Sequence, residues 1–198
     1  ASLRRPYASW RNGGCMTELY WGTTGDFLER TTQNTIAETL RRSFFEFHGF
    51  NPSDSEQRSW RNSLRALANA FRLGGFTDHG LFLEFQLPLS SQRLDAMITG
   101  TDRDGRPGAV IIELKQWDDC EPSTVEDCVV VRYAGRPKAV LHPSAQARQY
   151  RQHLADGHTA FHDGAVRLDA CAYLHDFLHD EDSELLHPRH ANVLGAYP

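Results

Sequence analysis

A chain of 198 residues that is 40% hydrophobic and 24% charged has the composition of a globular protein with one sizeable core. Its net charge of −5 argues against an indiscriminate binder of polyanions, so any contact with nucleic acid must use a local basic patch. No apolar run approaches the roughly 20 residues of a membrane helix, and no signal-peptide segment opens the chain. The four cysteines form no C-x-x-C pair, which favours free thiols and a cytoplasmic location.

Residues 1–54 predict an arm that begins extended and then becomes helical, packing on the core. The opening letters LRRPYASW are basic and aromatic. Thr24 or Asp26 suits the cap of a helix that begins near Phe27, and residues 36–47 carry apolar side chains at helical spacing. The turn letters NPSD then end this N-terminal helical arm.

The next helix, predicted over residues 56–73 with Ser55 as its cap, divides its side chains into two flanks. One flank is apolar, the neighbouring flank is basic, and Gln57 lies on the border between them. The basic flank is an arginine stripe that consists of Arg58, Arg61, Arg65 and Arg72. Two interpretations stay open: a solvated helix face, or a track that binds phosphates through bidentate guanidinium contacts.

Three predicted strands follow, and the second and third form a hairpin. Residues 81–87 form the first strand, on which Glu84 either borders a metal site or is simply exposed. Residues 93–99 and 109–115 form the hairpin, joined by the polar, glycine-bearing turn TDRDGRPG. Alternation along the second strand predicts one face made of Leu94, Ala96 and Ile98, with Asp95 on the other.

The same alternation predicts that Ile111, Glu113 and Lys115 share a face of the third strand. Asp95 and Glu113 would then approach each other across the hairpin. Two carboxylates can hold a divalent cation, and a nearby lysine can orient or deprotonate a water, which is chemistry typical of phosphodiester hydrolysis. A solvated strand face is the alternative. However, the letters VII directly before Glu113 indicate a buried strand, where an unpaired acid needs a reason.

Residues 118–141 predict a hairpin insertion after this strand. A helix then opens with Pro143 or Ser144 near its cap. On that helix Gln146 and Tyr150 are four residues apart, so we expect them on the same face.

Residues 166–174 predict the fourth core strand, and the tail over residues 176–198 has no predicted partner. The predicted core, residues 55–175, therefore runs as helix, three strands, helix and strand. A zinc site is a weaker alternative at this end of the chain, because the segment crosses a strand end and offers no fourth ligand. Its candidate ligands are Cys171, His175 and His179.

The acid Asp95, the E-L-K tripeptide ending at Lys115 and the Q-x-x-x-Y pair resemble the PD-(D/E)XK nuclease superfamily in kind and in order. The resemblance implies an α/β, restriction-endonuclease-like αβββαβ core, with a central mixed sheet flanked by helices. It also implies Mg²⁺ or Mn²⁺ as the cofactor, held by Asp95, Glu113 and the Leu114 carbonyl oxygen.

Roles for the remaining residues follow from the same resemblance. Lys115 would position the water or stabilise the transition state, Gln146 would steady the lysine or the water, and Tyr150 would contact the phosphate backbone. Many members add an acid from the first helix, and the candidates here are Glu38, Glu56 and Gln57.

A finer resemblance covers most of the chain. The runs SEQRSW, EFQLP, RLD, IELKQW and HPSAQARQY resemble the N-terminal nuclease-like domain of Schlafen-group-3-like DNA/RNA helicases. In those proteins a helicase follows, which implies a helicase domain as partner in a longer chain. No Walker A motif is present here, and the start at Ala1 and the stop at Pro198 suit one domain of a helicase–nuclease, with the tail leading into another.

The sequence therefore predicts a metal-dependent nuclease that hydrolyses phosphodiester bonds of DNA, with RNA as a second candidate substrate and no membrane partner. The alternative is a non-cleaving module of the same fold that binds nucleic acid or docks on a helicase. In that alternative Lys115 only neutralises Glu113.

Overall fold

The computed structural model describes residues 18–133, 135–162 and 164–198, so the basic opening of the predicted arm lies outside the described residues. The helices are α1 (Thr24–Thr32), α2 (Ile36–His48), α3 (Asp54–Gly74), α4 (Pro143–Gly157), α5 (Thr159–His162) and α6 (Ala191–Leu194). The strands are β1 (Glu18–Thr23), β2 (Gly80–Gln86), β3 (Arg93–Thr101), β4 (Pro107–Lys115), β5 (Glu121–Pro122), β6 (Cys128–Tyr133), β7 (Arg136–Leu141) and β8 (Arg167–Leu174).

A mixed five-stranded sheet in the order β1-β2-β3-β4-β8 forms the centre of the fold. The pairs β1–β2, β2–β3 and β3–β4 are antiparallel, whereas β8 is parallel to β4. A parallel pair needs a crossover, and α4 lies between β4 and β8 in the chain. The predicted mixed α/β architecture with a helix-flanked mixed sheet is confirmed, and the predicted order of elements is present as α3, β2, β3, β4, α4 and β8.

The first strand of this sheet does not follow from the sequence prediction. Residues 18–23 belong to the predicted helical arm, but they form β1, which pairs with β2 along its length. The segment ELYWGT contains two aromatic residues and a threonine, which suit a half-buried strand better than a helix. The strand predicted over residues 81–87 is therefore second in the sheet.

Side-chain caps set the helix starts two or three residues earlier than predicted. Thr23 and Asp26 form a reciprocal capping box at the start of α1. The hydroxyl of Ser53, and not that of Ser55, accepts a hydrogen bond from the Glu56 backbone N–H at the start of α3. At the other end of α3, Gly75 takes the left-handed conformation that terminates the helix.

The sheet separates two apolar clusters. One lies beneath α1, α2 and α3 and includes the fully buried Leu40 and Leu83. The other lies beneath α4 and includes the fully buried Met97, Ile111 and Leu154. Within the described ranges, no helix is long and apolar enough to cross a bilayer.

The predicted insertion and the tail form a third packing unit. The insertion folds as a separate small sheet in the order β5-β6-β7. Its buried Val129 and Val131 pack with Leu185 from the tail. The tail returns to the central sheet, where the Ala172 backbone N–H donates to the Pro198 carbonyl oxygen at 2.7 Å. The expectation that the tail has no partner is therefore wrong, because its apolar side chains cover the insertion and the sheet edge.

This packing predicts that the tail contributes to global stability. Replacing Leu185, which is 4% exposed, by alanine should lower the free energy of unfolding by roughly 2–5 kcal/mol, because the missing methyl groups leave a cavity. Leu178, in the same tail but 85% exposed, is the matched control, and its alanine variant should stay within about 0.5 kcal/mol of wild type. Urea titrations measure both, and equal midpoints for the two variants would contradict the packing.

Candidate functional site

The regular geometry of the sheet is interrupted at Glu84, in the middle of β2. Its φ of +52° lies in the left-handed region that residues with a side chain seldom adopt. The ladder between β2 and β3 pairs the residues on either side of this point but not Glu84 with Asp95, which lies opposite. Such strain persists where the surrounding structure holds it in place, and it concentrates at functional sites.

The interruption changes which face of the sheet the neighbouring side chains use. Ala96 and Ile98 pack in the cluster beneath α1, α2 and α3, as predicted. Leu94 instead packs with Phe85 and Met97 in the cluster beneath α4. The predicted common face of Leu94, Ala96 and Ile98 is therefore wrong, since simple alternation does not continue through a left-handed residue in the partner strand.

Asp95 and Glu113 meet across β3 and β4, as the sequence predicted. Asp95 Oδ2 accepts a hydrogen bond of 2.7 Å from the Leu114 backbone N–H. The charge of Asp95 raises the pKa of Glu113, and the Glu113 side chain is only 2% exposed. Glu113 Oε2 is buried without a protein hydrogen-bond donor among the described residues, so a shared proton or a cation would satisfy it.

Lys115 lies beside this carboxyl pair. Its Nζ is 2.6 Å from Glu113 Oε1 and 5.4 Å from the centre of the Trp117 ring. Burial lowers the pKa of Lys115, but the charges of Glu113 and Asp95 outweigh that effect and raise the pKa above its ordinary value. Lys115 is therefore a cation in this site, which suits orientation of a water or a phosphate oxygen better than removal of a proton.

The pKa values of the buried carboxyls are raised. Burial, and then the charge of Asp95, raise the pKa of both Glu113 and Glu84 to about 8. Burial also raises the pKa of Asp95, against the opposing effects of Lys115 and the Leu114 N–H. At neutral pH the group therefore retains protons that a cation would displace.

The sequence did not decide whether Glu84 borders the site. In the structure it lies with the buried carboxyls and is held by two residues that the sequence did not indicate. Trp60 Nε1 donates to Glu84 Oε1 at 2.7 Å, and Arg93 Nη1 lies 3.3 Å from Glu84 Oε2. The Arg93 guanidinium also pairs with Glu56 on α3. The sequence predicts only packing for Trp60 and no role for Arg93, because neither contact follows from spacing along the chain.

The other candidates for an acid on the first helix lie apart from the pair. Gln57 Nε2 donates to the Pro52 carbonyl oxygen at 3.1 Å, so its amide is used at the start of α3. Glu38 forms an exposed ion pair with Arg41 on α2. Glu56 is thus the acid on α3 that the structure links to the site, because Arg93 pairs with both Glu56 and Glu84.

Helix α4 brings the predicted Q-x-x-x-Y pair to the same place. Gln146 Nε2 donates to the Tyr150 hydroxyl at 2.8 Å. Burial, and then the charges of nearby carboxylates with Glu113 first among them, raise the pKa of Tyr150. The phenol is therefore a neutral hydrogen-bonding group in electrostatic contact with the carboxyl pair.

The arginine stripe lies elsewhere on α3. Arg58, Arg61 and Arg65 are exposed, and Arg65 donates to Asn34 Oδ1 at 2.7 Å. At about 100° per residue, these arginines lie roughly 140° or more around the helix from Glu56. Together α1 and α3 line a cavity of about 500 Å³ that includes Arg65 and Arg72. The structure therefore does not bring the stripe to the carboxyl pair.

Among the described residues, no three Asp, Glu, His or Cys side chains form a ready-made metal-binding group. The zinc alternative gains no support, because His175 instead contacts Ser63 and Asp176. Asp95 and Glu113 nevertheless fit Mg²⁺, which proteins commonly hold with one or two carboxylates while water and phosphate complete the octahedron. The unsatisfied Glu113 Oε2 is the atom that fits this role, and Leu114 lies on β4 directly between Glu113 and Lys115.

Comparison with known proteins adds no relative: no family model, no curated protein and no solved structure matches this chain. The chemistry of the site therefore rests on its own geometry, which is a buried carboxyl pair, a cationic lysine and a phenol on the facing helix.

The raised pKa values predict an unusual pH dependence for the metal-free protein. Glu84 and Glu113 have pKa values of about 8 in the folded chain, above the 4.5 of an unperturbed glutamate, so the folded state binds more protons than the unfolded state. The stability gained from this extra proton binding is complete below about pH 4.5 and disappears as the pH rises to about 8. Thermal melts in EDTA should therefore show a midpoint that falls across this range.

Asp95→Asn provides the internal comparison, because it removes the second largest cause of both shifts and should make the fall shallower. Glu38→Gln is the matched control. Hydrogen bonding to Arg41 lowers the pKa of this exposed carboxyl, so its removal should leave the slope between about pH 5 and pH 8 unchanged. Equal slopes in wild type and Asp95→Asn would contradict the coupling between these acids.

Proposed function

We propose that this chain is a divalent-metal-dependent nuclease domain that hydrolyses phosphodiester bonds in DNA, with RNA as the second candidate. The observation that supports this proposal is the buried Asp95–Glu113 pair beside Lys115. Burying two neighbouring acids is costly unless a cation offsets their charge. A structural role alone would be served better by apolar side chains of similar size.

The residues divide the work by their protonation and position. Asp95, Glu113 and the Leu114 carbonyl oxygen would hold Mg²⁺ or Mn²⁺. When bound, such an ion lowers the pKa of a water and neutralises charge on the scissile phosphate. Lys115, held as a cation, would stabilise the negative charge that develops in the transition state. Tyr150 is neutral and would donate a hydrogen bond to a phosphate oxygen, with Gln146 orienting its hydroxyl.

The finer features of the resemblance belong to the same proposal. The order of α3, β2, β3, β4, α4 and β8 supports a restriction-endonuclease-like αβββαβ core. A helicase domain in a longer chain would supply the nucleic acid, and the cytoplasm is the proposed location.

The non-cleaving module stays as the second candidate because one contact favours it. Lys115 pairs directly with Glu113 at 2.6 Å, as a purely structural ion pair would. The two candidates differ in their response to metal. A working site should gain thermal stability in millimolar Mn²⁺ by binding linkage, whereas a structural ion pair should not respond.

The catalytic assignment predicts that Asp95→Ala, Glu113→Ala and Lys115→Ala each slow cleavage by about 100-fold or more, since each removes a group that acts in the transition state. Nucleic-acid binding measured in Ca²⁺, which activates water poorly, should stay within about 3-fold of wild type, because these substitutions leave the arginine stripe unchanged. Glu121→Ala is the control, as it removes an exposed ion pair with Arg132 in the insertion. Undiminished cleavage by Lys115→Ala would exclude the proposed mechanism.

The arginine stripe predicts a separate effect on binding. Changing Arg58, Arg61 and Arg65 together to glutamine should weaken nucleic-acid binding and flatten its salt dependence by about one unit of slope for each phosphate that is no longer neutralised. The cleavage rate at saturating substrate should not change, because the stripe lies far around α3 from Glu56. An unchanged affinity and slope would identify the stripe as a solvated helix face.

A further inference from the structure

An exposed group of aromatic rings lies at the end of α2. This aromatic patch consists of Phe47, His48 and Phe50, with Phe47 46% and Phe50 60% exposed. The ring centre of His48 lies 4.7 Å from that of Phe47 and 5.6 Å from that of Phe50. Adjacent exposed rings are an uncommon feature of a protein surface and usually mark a binding site.

The patch continues inward to the carboxyl group. The buried Phe44 ring lies 4.2 Å from the His48 ring and 5.5 Å from the Phe50 ring. The Arg93 guanidinium lies over the Phe44 ring, 5.3 Å from its centre, and it pairs with Glu84. Phe44 and Arg93 therefore connect the exposed rings to Glu84 in the candidate site.

Arg41 lies at the outer edge of the patch. Its Nη1 donates to Asn51 Oδ1 at 2.9 Å, directly after Phe50 in the chain. Arg41 also pairs with the exposed Glu38 and, by hydrogen bonding, lowers the pKa of that carboxyl. Exposed rings beside a guanidinium match a polymer that carries both flat rings and phosphates.

We propose that the aromatic patch is a stacking platform for unpaired bases, so that the favoured substrate is a single-stranded nucleic acid or a single-stranded end. This inference rests on the proposed nuclease function and specifies its substrate class. Bases in a duplex are stacked on one another and present no ring face to a protein surface, whereas unpaired bases stack readily on aromatic side chains. Arg41 contacts the backbone, and the rings hold the bases beside Phe44, which Arg93 links to Glu84.

The test measures binding of a single-stranded oligonucleotide that contains 2-aminopurine, and of a matched duplex, in Ca²⁺. In wild type, stacking should quench the fluorescence of the single strand. The double variant Phe47→Leu/Phe50→Leu keeps an apolar surface but removes the rings. It should bind the single strand at least about 10-fold more weakly and show no quench, since the bases then have no aromatic ring on which to stack. Duplex affinity should not change.

Phe45→Leu is the matched control. Phe45 is on the same helix and 48% exposed, but it belongs to none of the ring contacts found among the described residues. Its variant should bind both oligonucleotides as wild type does. Equal single-strand affinity in wild type and the double variant would overturn the platform. A wild-type dimer that dissociates in the double variant, measured by light scattering, would also overturn it, because a second copy would then cover the patch.

The outcomes separate the platform from the nuclease. Binding in Ca²⁺ does not need cleavage, so ring-dependent binding without any cleavage in Mn²⁺ would keep the platform and reject the nuclease. Cleavage in Mn²⁺ together with binding that does not depend on the rings would keep the nuclease and reject the platform.

Discussion

The removal of Asp95 and Glu113 from water is the constraint on which the site depends. Burial raises the pKa of each carboxyl, and the charge of Asp95 further raises the pKa of Glu84 and Glu113. The Leu114 N–H and the Lys115 ammonium offset part of this cost. Glu113 Oε2 is the oxygen of this pair that stays buried without a protein hydrogen-bond donor among the described residues.

The strained conformation of Glu84 belongs to the same arrangement. A regular β2 would continue its ladder past Asp95, whereas the left-handed residue interrupts it at that point. The Glu84 carboxylate is then held by Trp60 from α3 and by Arg93 from β3. Helix α3 thus contributes to the site from one flank only, while Arg65 and Arg72 on the other flank line the cavity between α1 and α3. Helix α3 therefore separates the buried acids of the site from the cavity lined by Arg65 and Arg72.

The tail and the insertion stabilise each other outside this centre. Leu185 joins the insertion core, and His142 at the start of α4 stacks on His190 of the tail with ring centres 4.5 Å apart. Because α4 carries Gln146 and Tyr150, packing of its capping residue His142 helps to hold the Q-x-x-x-Y pair against the buried carboxyls.

The sequence by itself determined the order of the core elements and the approach of Asp95 to Glu113, because periodicity and a short turn are local properties. It also indicated the Gln146–Tyr150 pair, since four residues make one helical turn. Only the tertiary structure decided that residues 18–23 form a strand, that Glu84 interrupts β2, that Trp60 and Arg93 hold the third acid and that the tail covers the insertion. These features depend on contacts between residues far apart in the chain, which spacing along a sequence does not encode.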